Sequence, residues 1–269
     1  KTGPHALYAE HRALWDALWQ RADVCIEGDD ETELALRVSL YHLLRSHPRH
    51  PRAAIDAKTN GGDAYWGRIH WDNEIFIAPF FIYAVPEWAQ PLLAYRSATL
   101  PGARRGAAVL GYPGARFPWE SGTTGEEECP SFQYADHEVH ISSDVVLALW
   151  HYVCATQDHA FLRETAAEII FEVARYWQGR IDHLPDSPHA HILCVMGPDE
   201  YAHASDDNAY TNFTAGYALT IAAHLFATRA SAPAIAHLAR RMRITAREAA
   251  TWQTRANALL IPYSEEHKV

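Results

Sequence analysis

Apolar side chains recur at the spacing of an α-helix wherever this chain has a clear hydrophobic pattern, and that period constrains the fold most. Val145, Val146, Leu149, Trp150 and Val153 form one such stripe. Residues at these intervals lie on one face of a helix, and an apolar face is buried against a core. Alternating strand patterns are scarce, so the sequence predicts an all-α fold.

Two further helices carry signals at their starts. After Asp158, a residue type that caps helix N-termini, Phe161, Ile169, Val173 and Trp177 form a second stripe. A third helix is predicted from about Asn208. Its predicted cap is Asp206 or Asp207, and the face formed by Phe213, Tyr217, Ile221 and Leu225 is apolar. The remaining helical patterns fall near residues 6–20, 31–46, 86–100 and 232–259.

The segments between these helices differ in character. Residues 56–74, 101–141 and 180–207 are rich in Gly, Pro, Trp, Tyr and carboxylates, and short extended stretches are predicted at 68–71 and 192–196. Loops longer than about 12 to 15 residues are functional or disordered, and a disordered loop lacks aromatic residues. We therefore predict ordered loops that build a site.

Composition indicates a single domain with a large core. The chain has 269 residues, 48% of them hydrophobic, which rules out intrinsic disorder. Its net charge of −10 comes from dispersed acidic residues, so no nucleic-acid partner is expected. Arg240, Arg241, Arg243 and Arg247 form the one basic cluster, which we interpret as a solvated helix face.

The sequence also gives no indication of a membrane-crossing segment or of a zinc site built from cysteines. No apolar stretch reaches the ~20 residues that cross a bilayer, so no membrane partner is expected. Cys25, Cys129, Cys154 and Cys194 are far apart and form no CxxC pair. Such spacing is typical of reduced thiols in a cytoplasmic protein, and it does not indicate zinc.

Three stretches combine polar groups with aromatic rings: 71–74 (Trp-Asp-Asn-Glu), 117–121 (Phe-Pro-Trp-Glu-Ser) and 197–201 (Gly-Pro-Asp-Glu-Tyr). A sugar presents C–H faces that stack on indole rings and hydroxyl groups that carboxylates bind. The combination therefore favours carbohydrate chemistry. The alternative is that Trp71 and Trp119 are core aromatics and the acids are helix caps.

Glu200 is the candidate proton donor. Cleavage of a glycosidic bond needs a carboxylic acid that keeps its proton through apolar surroundings or a neighbouring negative charge. Glu200 follows the apolar run 192–196 and the turn at Gly197-Pro198, with Asp199 and Tyr201 beside it to tune and orient it. The alternative is that Asp199 and Glu200 are solvated turn residues.

Two other patterns carry less weight. His137-Glu138-Val139-His140 resembles a metalloprotease signature, but its histidines are one residue too close for the zinc-binding helix. No metal site is therefore predicted. The charge run Glu126-Glu127-Glu128 is interpreted as a solvated loop.

Four regions of the chain resemble a known family. These are 65–76, which contains the Trp-Asp-Asn-Glu motif; 92–96; 111–121, which contains Pro-Trp-Glu-Ser; and 197–201 (Gly-Pro-Asp-Glu-Tyr) together with 208–212. In order and spacing, together with the early segments 17–20 and 23–29, they resemble glycoside hydrolase family 65. That family contains maltose, trehalose and kojibiose phosphorylases. The resemblance covers nearly the whole chain.

The resemblance implies an (α/α)6 barrel that inverts anomeric configuration without a metal or organic cofactor. It implies that Glu200 is the general acid, that Trp71 and Asp72 hold the glucosyl unit, and that Trp119 and Glu120 shape the same pocket. Inorganic phosphate is the implied co-substrate. The remaining substrate-binding residues expected from the matching motifs are Glu74, Asp199, Tyr201, Asn208 and Asn212.

The chain also departs from the family pattern. Asn73 stands where the family usually has Thr, and Ala202 where it usually has His, with His203 one place later. Either change is expected to affect the subsite beyond the cleaved bond. Residues 1–269 are expected to form an incomplete barrel that lacks its C-terminal part and the family's N-terminal β-sandwich, and that is inactive alone. The resemblance leaves a homodimer open.

Three functions remain as hypotheses at this point. The first is inverting phosphorolysis of an α-linked glucose disaccharide such as maltose, trehalose or kojibiose, which gives β-glucose 1-phosphate and glucose. The second is an inverting α-glucoside hydrolase, in which a carboxylate activates water about 6.5 to 9.5 Å from the acid. The third is a sugar-binding α-toroid without catalysis, which would have no use for Glu200.

Overall fold

The fold is a stack of packed helices, as the periodicity predicts. The protein is described by a computed structural model, which covers residues 3–59 and 64–266. Its long helices are joined by loops that are held together by isolated β-bridges rather than by an extended sheet.

Two helices open the chain and pack on each other through aromatic rings. Helix α1 (Pro4–Ala22) begins with a proline, which fits the first helical turn, and α2 (Asp30–Ser46) is capped by Asp29, whose carboxylate accepts the Thr32 N–H. Trp15 of α1 contacts Tyr41 of α2, with 5.0 Å between ring centroids. Much of both helices is exposed.

The central helices follow. A π-helical turn (Asn73–Ile77) leads into α3 (Ala78–Ala84), and α4 (Pro86–Val109) follows directly. After the short α5 (Phe132–His137) comes α6 (Ile141–Thr156), which packs against α3, α4 and later helices. Most residues of α6 are buried, including those of the first stripe except Trp150, which is half-buried.

The last part of the chain completes the core. Helix α7 (His159–Phe161) continues through a π-helical turn (Leu162–Ala166) into α8 (Ala167–Arg180). Strands β1 (Asp182–His183) and β2 (Ala190–His191) form an antiparallel pair with Asp182 opposite His191. Helix α9 (Ala209–Ala227) packs against α6, α8 and α11. A 3-10 turn (Thr228–Ala230), α10 (Pro233–Arg241) and α11 (Ala246–Ala258) close the described chain.

Several sequence predictions need correction. The third helix is capped by Asn208, which accepts the Thr211 N–H, because the Asp207 carboxylate is engaged by His191 and the Ile192 N–H instead. The pattern over 232–259 is two helices, since Arg243 adopts a left-handed conformation (φ 55°) between them. The helical turn that starts at Asn73 was predicted as loop.

Two observations concern the cysteines and the apolar character of the helices. The four cysteines all lie in the described part of the chain, and none is paired. Over residues 3–59 and 64–266, no helix combines the length and apolar character that a membrane crossing requires.

Candidate active site

Three distant loops meet at one cavity. Its volume is about 380 Å³, and it opens to solvent. The indole rings of Trp71 and Trp119 and the carboxylates of Asp72, Glu120 and Glu200 line it together. The other lining residues are Ala57, Tyr65, His70 and Tyr134. Five of the ten sequence-predicted site residues therefore share one space.

The first loop holds Trp71 and Asp72 at the start of the π-helical turn. Ile69 exchanges two backbone hydrogen bonds with Ser121, at 2.8 and 3.0 Å, so this loop is tied directly to the loop that carries Trp119. The buried Asn73 side chain bonds to both backbone groups of Ile55. Asn73 therefore acts as a structural clamp, and it does not line the cavity.

The second loop is shaped by Glu127. Its carboxylate accepts the backbone N–H groups of Trp119 (2.8 Å), Glu120 (3.0 Å) and Cys129 (3.2 Å). Burial raises the pKa of Glu127, while these N–H groups act in the opposite direction. The prediction of a solvated charge run is therefore wrong for Glu127, and it describes only the exposed Glu126.

Glu120 is fixed by a cation on one side. Arg68 Nη1 lies 2.6 Å from Glu120 Oε2, and His70 Nε2 lies 3.6 Å from Glu120 Oε1. The carboxylate is almost buried, so the ion pair with Arg68 offsets the cost of removing its charge from water. Glu120 also lines the cavity.

The third loop presents Glu200 on the rim of the cavity. The loop is closed by paired backbone hydrogen bonds between Val195 and Ser205, and the Asp199 carboxylate accepts the Tyr201 N–H at 3.1 Å. Glu200 is exposed, so the structure does not give it the apolar surroundings expected from the sequence. It nevertheless shares the cavity with Trp71 and Asp72.

The other predicted site residues lie outside the cavity lining. Glu74 is buried in a bidentate ion pair with Arg96, at 2.7 and 2.8 Å. Asp199 shapes the turn, and Tyr201 is 96% exposed. Asn208 caps α9, and the Asn212 amide donates to Asp207, which anchors the start of the Glu200 loop through the Ile192 N–H. Their contacts support the loops.

A buried polar array lies directly behind the two indoles. His140 Nδ1 is 2.7 Å from Asp144 Oδ2, and His140 Nε2 is 3.2 Å from Glu138 Oε2. The His140 ring meets Trp71 and Trp119 edge to face, with centroids 4.8 and 5.7 Å apart. The sequence pattern of Glu138 and His140 suggested only a comparison with zinc ligands. The i, i+4 spacing of His140 and Asp144 was the signal that could have found the array.

The pKa values of His140 and Glu138 are shifted by burial and by the charged groups around them. Burial disfavours the charged form of His140, but the hydrogen bond with Asp144 and the nearby negative charge of Glu138 outweigh it and raise its pKa to about 9. Burial raises the pKa of Glu138, and repulsion from the Glu200 charge adds to that effect. The array is therefore electrostatically linked to the residue on the cavity rim.

No three or more His, Cys, Asp or Glu side chains form a group suited to a metal ion within the described part of the chain. Two indole rings and three carboxylates are the chemical groups that distinguish this cavity.

Comparison with known proteins identifies the family of this chain. The family model "Glycosyl hydrolase family 65 central catalytic domain" matches residues 37–269. The kojibiose phosphorylase of Halothermothrix orenii is 37% identical over 98% of this chain. The chain belongs to glycosyl hydrolase family 65. A second relative in Gallus gallus, named protein-glucosylgalactosylhydroxylysine glucosidase, is 38% identical over 81% of the chain.

A solved structure extends the family 65 assignment to the fold. A protein from the human microbiome that carries a provisional kojibiose phosphorylase name superposes with a TM-score of 0.90, at 27% identity, over 98% of this chain. The all-α fold predicted from periodicity is confirmed, and it is consistent with the (α/α)6 toroid that the resemblance implied. The chain spans 36% of the Halothermothrix protein, 32% of the Gallus protein and 39% of the solved one.

Proposed function

We propose that the whole protein cleaves an α-linked glucose disaccharide, such as maltose, trehalose or kojibiose, by inverting phosphorolysis to β-glucose 1-phosphate and glucose. The observation that carries the proposal is the joint presence of Trp71, Trp119, Asp72, Glu120 and Glu200 in one cavity. Two indole faces and three carboxylates suit a neutral polyhydroxylated ligand. The family assignment supports the same chemistry.

Each group has a proposed role. Trp71 and Trp119 stack on the glucosyl ring, and Asp72 binds its hydroxyl groups. Glu200 donates a proton to the bridging oxygen as the bond from that oxygen to C1 breaks. A phosphate oxygen forms the new bond to C1 from the opposite face, so the configuration inverts. Phosphate enters as co-substrate, and no organic cofactor or metal is part of the proposed reaction. The free cysteines support a cytoplasmic location.

An α-glucoside hydrolase is the second candidate, because the Gallus relative is named a glucosidase. In that case water replaces phosphate, and a carboxylate acts as general base. Both candidates need Glu200 as the acid and Trp71, Trp119 and Asp72 as the sugar-binding residues.

The test compares turnover with and without phosphate. The whole protein is incubated with maltose, trehalose, kojibiose and nigerose, and glucose and β-glucose 1-phosphate are measured. Phosphorolysis predicts glucose 1-phosphate in step with glucose, and no turnover without phosphate. Glucose release that ignores phosphate establishes the hydrolase instead.

Glu200→Gln separates catalysis from simple sugar binding. We expect turnover to fall by about 10²- to 10⁴-fold, because the amide cannot donate the proton in the same way. Glu126→Gln, at an exposed carboxylate outside the cavity, serves as the control and is expected to keep full turnover. Undiminished turnover in Glu200→Gln with an unchanged unfolding temperature refutes the assignment of the acid.

A further inference from the structure

A separate polar array lies on the hairpin of β1 and β2, outside the sugar cavity. Ser187 lies in the loop between the two strands, and His191 is the last residue of β2. Ser187 Oγ is 2.6 Å from His191 Nε2, and His191 Nδ1 is 2.7 Å from Asp207 Oδ2. The cavity that Trp71 and Trp119 line is formed by other residues. A hydroxyl, an imidazole and a carboxylate are therefore joined in one series of hydrogen bonds.

The carboxylate at the end of this series is fixed by further contacts. Asp207 Oδ1 accepts the Ile192 N–H at 3.1 Å and the Asn212 amide at 2.9 Å, which leaves Oδ2 for the imidazole. The Asp207 backbone N–H also donates to the Ile192 carbonyl at 2.9 Å. His191 is 7% exposed and Asp207 is 9% exposed, so a nearly buried carboxylate holds the ring in one orientation. A carboxylate in this position is the third member of a catalytic triad, which is recognised by geometry rather than by sequence motif.

The hydrogen-bond directions aim the serine proton at the imidazole. In a neutral imidazole one nitrogen donates and the other accepts, and a carboxylate only accepts. His191 Nδ1 therefore donates to Asp207, and Nε2 is left as an acceptor. Ser187 Oγ accepts the His189 N–H at 3.1 Å, so its own proton is the one that Nε2 receives. This is the arrangement in which a general base activates a hydroxyl nucleophile.

Ser187 is accessible from solvent. It is half-buried, whereas the flanking Asp186, Pro188 and His189 are exposed. An open hairpin suits a short acyl group, which needs no deep apolar pocket. An ester with a good leaving group also depends least on stabilisation of the developing oxyanion. Activated short-chain esters are therefore the substrate class that fits this site.

We propose that Ser187, His191 and Asp207 form a nucleophilic triad that hydrolyses activated short-chain esters. Ser187 Oγ forms a bond to the carbonyl carbon, its proton passes to His191 Nε2, and the bond from that carbon to the leaving oxygen breaks. The imidazole then gives the proton to the leaving oxygen. Water attacks the acyl-serine by the same route, which releases the carboxylic acid and restores the serine hydroxyl.

The test is hydrolysis of p-nitrophenyl acetate by the whole protein. Nitrophenolate absorbance gives the rate, and mass spectrometry of peptides locates the acetyl group. We expect acetyl on Ser187, and a rate about 10²-fold lower in Ser187→Ala, because the activated nucleophile is lost. His191→Gln is expected to reach the same low rate, since the members of a triad act as a unit. No sugar takes part in this reaction, so the inference does not rest on the proposed function.

Matched controls exclude reactions of other surface groups. Ser231→Ala removes an exposed serine whose hydroxyl bonds the Thr228 carbonyl, and His189→Gln removes an exposed imidazole near Ser187. Both variants are expected to keep the wild-type rate. If His191→Gln has a lowered unfolding temperature, Ser187→Ala decides alone. Equal rates in wild type and Ser187→Ala at the same unfolding temperature overturn the inference, and so does acetylation of other residues only.

Discussion

His140 Nδ1 lies 2.7 Å from Asp144 Oδ2, and neither side chain has any exposed surface. The same imidazole contacts both indoles of the cavity, while the other Asp144 oxygen accepts the Tyr210 hydroxyl at 2.8 Å. An ion pair of this kind fixes positions, because moving either partner leaves a buried charge uncompensated. Trp71 and Trp119 therefore pack against a buried ion pair.

The charge of His140 predicts a loss of stability at high pH. Its folded pKa of about 9 lies above the ordinary value of 6.5. A raised pKa stabilises the folded state fully below 6.5, and this contribution is lost as pH rises to 9 and beyond. Chemical denaturation between about pH 6 and pH 10 is expected to show the decline. His140→Gln serves as reference, and equal declines in both proteins contradict the prediction.

Glu127 is expected to hold the Trp119 loop through its three backbone N–H contacts. In Glu127→Gln, the amide NH2 group faces N–H donors, so about 1–3 kcal/mol of stability and much of the sugar affinity should be lost. Glu126→Gln, which removes only an exposed partner of Arg105, should cost less than about 1 kcal/mol. Denaturation and sugar titration of both variants measure the contrast. Equal effects would mean that Glu127 is not the anchor.

The ion pair between Glu74 and Arg96 is expected to serve stability. Both side chains are buried, and Arg96→Met should cost about 3–5 kcal/mol because the carboxylate loses its partner. The double variant with Glu74→Leu should recover most of this loss. Arg105→Met breaks an exposed pair and should cost about 1 kcal/mol or less. Urea denaturation measures the free energy of unfolding of each variant. A double variant as unstable as Arg96→Met would contradict this prediction.

Gly114 and Gly111 provide a matched pair of backbone tests. Both have positive φ, at 78° and 79°. A Cβ at Gly114 would lie 2.1 Å from the Glu172 carbonyl oxygen on α8, whereas a Cβ at Gly111 meets nothing within 4 Å. Gly111→Ala should therefore cost about 1–2 kcal/mol of backbone strain alone. Gly114→Ala should cost clearly more, through steric overlap. Similar unfolding temperatures for the two variants would contradict this.

The sequence predicted a helix correctly where residues within that helix determine its conformation. The apolar stripes of α6 and α8 were predicted at their observed places, and Asp158 caps its helix, accepting the Phe161 N–H at 2.9 Å. Prediction failed where a distant group competes. Asp207 looked like a helix cap, but its carboxylate is engaged by His191 and Ile192, so Asn208 caps α9.

The candidate site shows the same division. Motif composition and family resemblance singled out Trp71, Asp72, Trp119, Glu120 and Glu200, which line one cavity. Composition could not distinguish Asp72, Glu120 and Glu200 from Glu74 or Asn212, since all five are polar residues in or near the same motifs. The difference lies in their interaction partners. Glu74 forms an ion pair with Arg96, and the Asn212 amide donates a hydrogen bond to Asp207.

By itself the sequence predicted most of the long helices, the residues that face the core, and the motifs proposed to carry carbohydrate chemistry, but it missed α3, α5 and the helical turn at Asn73. These properties depend on periodicity and side-chain chemistry within a few turns of chain. The tertiary structure alone decided that Glu127 anchors the Trp119 loop and that His140 packs against both indoles. Each of these depends on which chain segments meet in space, and burial there sets the strength of every charge and hydrogen bond.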